Sequence, residues 1–256
     1  MSVVAIVQAR MGSSRLPAKV LRPLAGEPVI GHVVKRLRHC RRLDGIVVAT
    51  STLPADDAIA QWCAAHEVAC FRGSHEDVLD RYYQAALTHA VDVVVRITAD
   101  CPLIDPEVVD EVVEKFFSGP YDSCWLGGEF PDGLDCQVFA FEAIARAWRE
   151  ATLPSEREHV GPFIEKTHAH LFNNAVLHKF TGLAHHRWTL DEPRDYDFLC
   201  AVFDRLQDGH RVFLTQDVLT LLQQEPGLMD INAQIPRNQG YQNSLAAERT
   251  HHVQPR

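Results

Sequence analysis

Val3-Val4-Ala5-Ile6-Val7-Gln8 runs directly into Ala9-Arg10-Met11-Gly12-Ser13-Ser14-Arg15-Leu16-Pro17-Ala18-Lys19-Val20-Leu21. The first six residues are a short, β-branched apolar run, the pattern of a strand buried in a sheet. The loop that follows places three cations, Arg10, Arg15 and Lys19, within ten residues of an acidic chain. Gly12 permits an unusual backbone geometry, and Ser13 and Ser14 add hydroxyl donors. Arginine forks and a lysine point charge suit a polyphosphate. A loop leaving the carboxyl end of a strand is also where open α/β sheets bind ligands. It is not a Walker A loop, because no Gly-Lys followed by Ser or Thr occurs in it. On composition alone, a solvated basic loop has the same appearance. Arg15 and Lys19 read as long surface cations whose loss the fold should barely notice.

Outward from this stretch, strand and helix patterns alternate. Pro28–Leu37 predicts a helix with Pro28 in its first turn. Ile46–Thr50 predicts a strand, Asp56–His66 a helix and Val68–Phe71 a short strand. Asp77–His89 predicts a helix, Val91–Thr98 a strand and Pro106–Phe117 another helix. Four βα units in series imply an α/β fold, with a mainly parallel sheet, right-handed crossovers and helices on both faces. The second half is less regular. Tyr121–Trp125 and Leu134–Phe139 read as strands around the turn Pro131-Asp132-Gly133. Phe141–Glu150 reads as a helix, Glu158–Thr167 as a short helix, Ala175–Phe180 as a strand and His186–Thr189 as another. A helix then opens at Asp191-Glu192-Pro193 and runs through Leu206. These patterns predict one domain over residues 1–236, in which about 120–185 form an inserted β-arm on the acceptor side. The tail from Arg237 to Arg256 is polar and is expected to order only by contact.

The 256 residues carry a formal charge of −9, which excludes general attraction to nucleic acid but not a local anion site. No apolar run approaches the length of a membrane span. MSVVAIVQAR is too short for a signal segment, so the expected location is the cytoplasm. The seven cysteines are scattered with no CxxC pair, which predicts reduced thiols and no structural zinc.

Several acidic and basic positions stand out beyond the loop. Asp100 ends an apolar strand directly before Cys101-Pro102. A carboxylate there could ligate Mg²⁺ or cap the following turn. Asp191 has the same ambiguity before Pro193. Asp195 reads as a first-turn acid of the next helix. Asp77 has Arg81 one helical turn beyond it, an available salt-bridge partner. Asp132 reads as a turn residue, whereas Asp135 projects from a strand. Asp135, Glu158 and His159 are the acceptor-side candidates. Arg187 could meet a carboxylate of the acceptor or serve as an internal ion-pair partner.

The string Arg10-Met11-Gly12-Ser13-Ser14-Arg15-Leu16-Pro17-Ala18-Lys19 resembles the N-terminal signature of the spore coat polysaccharide F-like cytidylyltransferases, relatives of the CMP-sugar synthetases. The likeness continues in order through Arg72-Gly73-Ser74 with Asp77-Val78-Leu79-Asp80-Arg81-Tyr82, then Arg96-Ile97-Thr98-Ala99-Asp100-Cys101-Pro102-Leu103-Ile104. Pro131-Asp132-Gly133-Leu134-Asp135, Glu158-His159-Val160 and Arg187-Trp188-Thr189-Leu190-Asp191-Glu192-Pro193-Arg194-Asp195 complete it. Gly161 stands where this likeness leads one to expect Thr, and Cys136 where it leads one to expect Val, so both departures concern the acceptor. The resemblance implies a Rossmann-like nucleotide-diphospho-sugar transferase fold and transfer of CMP from CTP to an acidic sugar or similar small acceptor. It implies that Arg10, Gly12, Ser13, Ser14, Arg15 and Lys19 hold the triphosphate, with Arg10, Arg15, Lys19 and Asp100 as the catalytic groups. It implies that Arg72, Gly73 and Asp77 read the pyrimidine, that Asp100 and Asp191 hold Mg²⁺ together, and that the protein is a homodimer. Two carboxylates brought that close should repel each other when no metal is bound.

In the reaction so implied, an acceptor oxygen attacks the α-phosphorus in line and pyrophosphate leaves. A sugar hydroxyl would need deprotonation, by metal or by a residue such as Asp135 or His159; an anionic acceptor would not. Two other readings compete. A glycosyltransferase of related fold would hold its metal through a DxD motif, and Asp195-Tyr196-Asp197 falls inside an expected helix. A non-catalytic nucleotide-binding partner would have no need of Asp100 and Asp191.

Overall fold

A computed structural model describes residues 1–209 and 211–252. Strand β1 (Val3–Gln8) sits inside the sheet, and Val3 through Val7 are all buried, which accounts for the unbroken apolar run. After the basic loop come a two-residue hairpin, β2 (Pro23–Leu24) with β3 (Glu27–Pro28), and helix α1 (Val29–Leu37). The chain continues through β4 (Gly45–Ser51), α2 (Asp57–Ala65), β5 (Ala69–Gly73), α3 (Val78–Thr88), β6 (Val93–Thr98) and α4 (Pro106–Phe117). β7 (Ser123–Gly128), β8 (Gln137–Ala140), α5 (Phe141–Glu150), α6 (Pro154–His159) and β9 (Asn174–Phe180) follow, then α7 (Pro193–Leu206), α8 (Thr215–Gln224) and α9 (Gln239–His252).

Seven strands form one sheet in the order β5-β4-β1-β6-β8-β7-β9. β1 pairs in parallel with β4 and with β6, from Val3 opposite Val93 to Gln8 opposite Thr98. β8 runs antiparallel to both of its neighbours, β6 and β7. The 120–185 segment, expected to supply an inserted arm, contributes β7, β8 and β9, which continue the central sheet beyond β6. Alternate side chains of β1 divide the core. Val3, Ala5 and Val7 pack with α1, α2, α4 and α7, while Val4 and Ile6 pack with α3 and α5.

Two local expectations need correction. Glu158–Thr167 is not one helix: α6 ends at His159, Val160 takes a left-handed φ of 66°, and a separate π-turn covers Phe163–Thr167. Glu156 starts α6 earlier than expected, accepting hydrogen bonds from the amides of Thr152 and Leu153. His186–Thr189 does not join the sheet, and only Arg187 bridges to Asp132. There the 186–188 backbone pairs with the turn at 131–134 instead: the Asp132 amide donates to His186 O at 3.0 Å and the Trp188 amide to Asp132 O at 2.6 Å. Gly133, at φ 108°, makes this approach possible, because a Cβ there would lie 2.7 Å from the Trp188 carbonyl carbon. Of the polar tail, Gln239–His252 is helix α9, packed on α6, and residues 253–256 lie outside the described residues.

Candidate active site

The basic loop lies at the carboxyl end of β1 and is clamped from below. Buried Asp56 accepts from the Met11 amide at 2.7 Å and from the Ser51 hydroxyl. Met11 O receives the amides of Ser13 and Ala18, both at 3.0 Å. Gly12 does not have the unusual backbone expected of it; the left-handed residue of the loop is Ala18, at φ 58°. A side chain at Gly12 would meet nothing within 4 Å, which leaves open space over the loop. Ser13 Oγ accepts from the Leu16 amide at 3.3 Å and shapes the turn.

Lys19 corrects the surface-cation reading. It is 9% exposed, and its Nζ lies 2.6 Å from Asp100 Oδ2 and 2.7 Å from Asp191 Oδ1. Burial alone would lower the ammonium pKa, but the two carboxylates outweigh it and raise it. Burial would likewise raise Asp100, yet the charge and hydrogen bond of Lys19 hold it down to about 2. Asp100 and Asp191 thus converge as expected, but around an internal cation that removes their repulsion. Arg15 reaches the same corner, 3.3 Å from Asp191, 3.1 Å from Glu192 and 2.8 Å from Gln239 Oε1 of α9. Arg10 is more exposed and meets Glu158 at 3.4 Å.

The 72–77 loop is held rigidly. Arg72 donates to Ser51 O at 3.0 Å and Leu53 O at 3.1 Å, and pairs with Asp57 at 2.6 Å. Gly73 packs tightly against Phe71 and Arg81. Asp77 is the N-cap of α3, accepting from the Asp80 amide at 2.8 Å, and its partner is Arg157 rather than Arg81. Arg81 is buried and donates to Ser74 O at 2.7 Å.

On the acceptor side, Arg187 is internal. It is 7% exposed and bonds Asp195 at 2.8 Å, Asp132 at 3.0 Å and Asp191 at 3.5 Å. Asp195 also accepts the amides of Asp191 and Glu192, both at 2.9 Å, so it fixes the start of α7. Arg187 therefore positions Asp191 and has no free face for an acceptor. Burial and the neighbouring Asp135 push Asp132 up to about 7. Asp135 accepts from the Gly133 amide at 3.0 Å. His159 bonds Ser244 of α9 at 2.9 Å, and burial together with the nearby Arg96 pushes it down to about 4, so it is neutral near pH 7. Sequence reasoning missed Arg96, Gln137 and Glu165, which are hydrogen-bonded in a row beside His159. The available signal was a charged residue inside the apolar run Val93-Val94-Val95-Arg96-Ile97.

A mainly parallel Rossmann-like sheet, a cationic loop after its first strand and two carboxylates converging beside that loop define a nucleotidyltransferase. Residues 4–199 match the family described as cytidylyltransferase, and the chain belongs to that family. It is a CTP-dependent nucleotidyltransferase, which sets aside the glycosyltransferase and non-catalytic readings. The chain is 34% identical over 243 residues to an uncharacterised protein of Methanocaldococcus jannaschii, covering 92% of this chain and 96% of that one. It is 31% identical over 232 residues to the spore coat polysaccharide biosynthesis protein SpsF of Bacillus subtilis, covering 88% of this chain and 95% of the relative. Among solved structures, a cytidylyltransferase from Leptospira borgpetersenii superposes with a TM-score of 0.84 at 29% identity, covering 90% of this chain and 97% of that chain. Among the described residues no helix is long and apolar enough to cross a membrane.

Proposed function

We propose that this enzyme transfers CMP from CTP to an acidic sugar or similar small acceptor, releasing pyrophosphate, with Mg²⁺ held by Asp100 and Asp191. The observation that carries this reading is the convergence of both carboxylates on one positive charge, the Lys19 ammonium. Two hard oxygen donors plus phosphate oxygens are a fitting set for Mg²⁺, which usually takes one or two carboxylates. When bound, the cation neutralises phosphate charge. Lys19, Arg15 and Arg10, with Gly12 and the hydroxyls of Ser13 and Ser14, receive the triphosphate; Lys19 exchanges carboxylate contacts for phosphate as it does so. Arg187 and Asp195 fix the direction of Asp191. The rigid loop of Arg72, Gly73 and Asp77 offers carbonyls and a carboxylate to the cytosine amine. Asp135, Glu158 and His159 border the acceptor.

The spore coat relative supports an acceptor destined for a surface polysaccharide. Free cysteines support action in the reducing cytoplasm, and the open edge of β9 supports a homodimer, which light scattering would check. The test of the reaction is phosphate release from CTP in the presence of Mg²⁺ and pyrophosphatase, across a panel of acidic and neutral acceptors. Release that depends on an acid and on metal is expected. Equal turnover of ATP, or full activity of Asp191→Asn, overturns the reading.

A further inference from the structure

Five arginines around the cleft already face carboxylates. Arg10 meets Glu158, Arg15 meets Asp191 and Glu192, Arg72 meets Asp57, Arg157 meets Asp77, and Arg187 meets Asp132, Asp191 and Asp195. Arg96 differs. It lies in register with Ile6 of β1 and Gln137 of β8, so its side chain leaves the sheet on the α3 and α5 face. Two neutral amides hold it: NH1 donates to Gln137 Oε1 at 2.7 Å and NH2 to Gln8 Oε1 at 3.1 Å. Its Nε is buried with no hydrogen-bond partner among the described residues. The Tyr82 ring backs the guanidinium at 5.9 Å, and the Tyr82 hydroxyl is fixed by Ile6 O at 3.1 Å and Ile97 O at 3.2 Å.

The neighbours cancel this charge only in part. Gln137 turns its Nε2 to Glu165 and its oxygen to Arg96. Gly161 makes this arrangement possible, because a Cβ there would lie 2.6 Å from Gln137 Nε2 and 3.0 Å from Glu165 Oε1. Burial pushes the Glu165 carboxyl up to about 7, so it is only partly charged near neutral pH. His159 is neutral there. A guanidinium has five donors in a planar fork, and among the described residues only two of Arg96's have partners. A buried donor without a partner costs stability that an incoming acceptor oxygen would restore.

We propose that Arg96 binds the anionic group of the acceptor, a carboxylate or a phosphonate, with Gln8 and Gln137 holding its fork in place. The proposal deepens the acidic-acceptor reading above and rests on it. Arg96 lies two residues before the end of β6 at Thr98, and Asp100 lies in the turn two residues beyond that end, so at up to about 3.3 Å per residue the two are on the order of 10 Å apart at most, the reach of a small acid sugar. The role open to Arg187 thereby passes to Arg96, which keeps donors to spare; Arg81, the other arginine with a buried, unpartnered Nε among the described residues, donates to Ser74 O and is 1% exposed, so it is closed to an acceptor.

The test measures pyrophosphate release by the full-length protein, its Arg96→Gln variant and its Arg96→Lys variant, with the acceptor varied at saturating CTP and with CTP varied at saturating acceptor. The acceptors are N-acetylneuraminate, 3-deoxy-manno-octulosonate and 2-aminoethylphosphonate, with N-acetylmannosamine as the neutral counterpart. Arg96→Gln is expected to raise the KM for the accepted acid on the order of 30-fold or more, with the KM for CTP within about twofold of the parent. Arg96→Lys should fall between, because it keeps the charge and loses the fork. The carboxylate and phosphonate arms show which anion is taken. If an acid is accepted and Arg96→Gln leaves its KM unchanged, or raises both KM values in step, the role of Arg96 is overturned and the acidic acceptor stands. Turnover of the neutral sugar alone overturns both. If the parent turns over none of the acids, and none raises the Tm of the CTP-loaded protein, the proposal also falls.

Discussion

Lys19 and Asp100 are joined at 2.6 Å, and the same ammonium reaches Asp191 at 2.7 Å. The carboxylate pair is therefore balanced rather than strained when no metal is bound. Lys19→Met should leave two carboxylates facing each other, each about a quarter exposed. Breaking a fully buried pair costs about 3–5 kcal/mol, so this more open one should lose on the order of 2 kcal/mol and several degrees of Tm in chelator. Added Mg²⁺ should return part of that loss, while activity stays low. The acid limb gives a second readout. Asp100 lies at about 2 in the folded chain, below its ordinary 3.8. Its stabilisation is present above pH 4 and lost as pH falls toward 2. Lys19→Met should flatten that limb in a pH series of urea melts. An unchanged limb would mean that Lys19 does not hold Asp100 in solution.

Arg187 should behave as a structural cation. Arg187→Met leaves Asp132, Asp191 and Asp195 without their common partner. Loss of about 3–5 kcal/mol in chemical denaturation is expected, since Arg187 and Asp195 are both buried. A variant as stable as the parent but with a weakened acceptor KM would return Arg187 to the acceptor.

Asp77 combines a cap with a proposed nucleotide contact. Asp77→Ala should cost about 1 kcal/mol through the lost N-cap of α3, beyond any effect on CTP. Asp77→Ser restores a capping oxygen but not the pair with Arg157. If both variants melt alike, the cap contributes nothing. Both should raise the KM for CTP more than they lower kcat.

Glu165 should make the protein less stable as pH rises. Its folded value of about 7 lies above its ordinary 4.5, so the folded state binds the proton more tightly. Stability then falls between about pH 4.5 and pH 7 as the unfolded chain ionises first. Glu165→Gln cannot ionise, so its stability relative to the parent should grow by about 2–3 kcal/mol from pH 5 to pH 8. Thermal melts at both ends of that range check the sign, and a constant difference would contradict it.

The first half of the fold was legible because its signals are local. Val3–Gln8 is apolar at every position but the last, Pro106 opens α4, and Asp77 precedes α3, so each element carries its own pattern within a few residues. The basic loop was legible too, since three cations in ten residues need no tertiary context. The 186–189 segment misled because its pairing depends on Gly133, more than fifty residues away in sequence. Gly12 misled for the converse reason, its glycine being open to solvent rather than left-handed.

By itself the sequence determined the alternation of strands and helices in the first half, the placement of a cationic loop after the first strand, and the position of Asp100 just beyond β6. Those follow from periodicity and charge, which a chain displays before it folds. Only the tertiary structure decided which charge meets which. Lys19 and Asp100 are 81 residues apart, Arg187 and Asp132 are 55 apart, and Arg96 has amides on both sides where Arg187 has acids. Ion pairing decays over a few ångströms, so a partner brought close by the sheet outweighs any neighbour in sequence. That is why the same residue type is a structural tie at Arg187 and an open donor at Arg96.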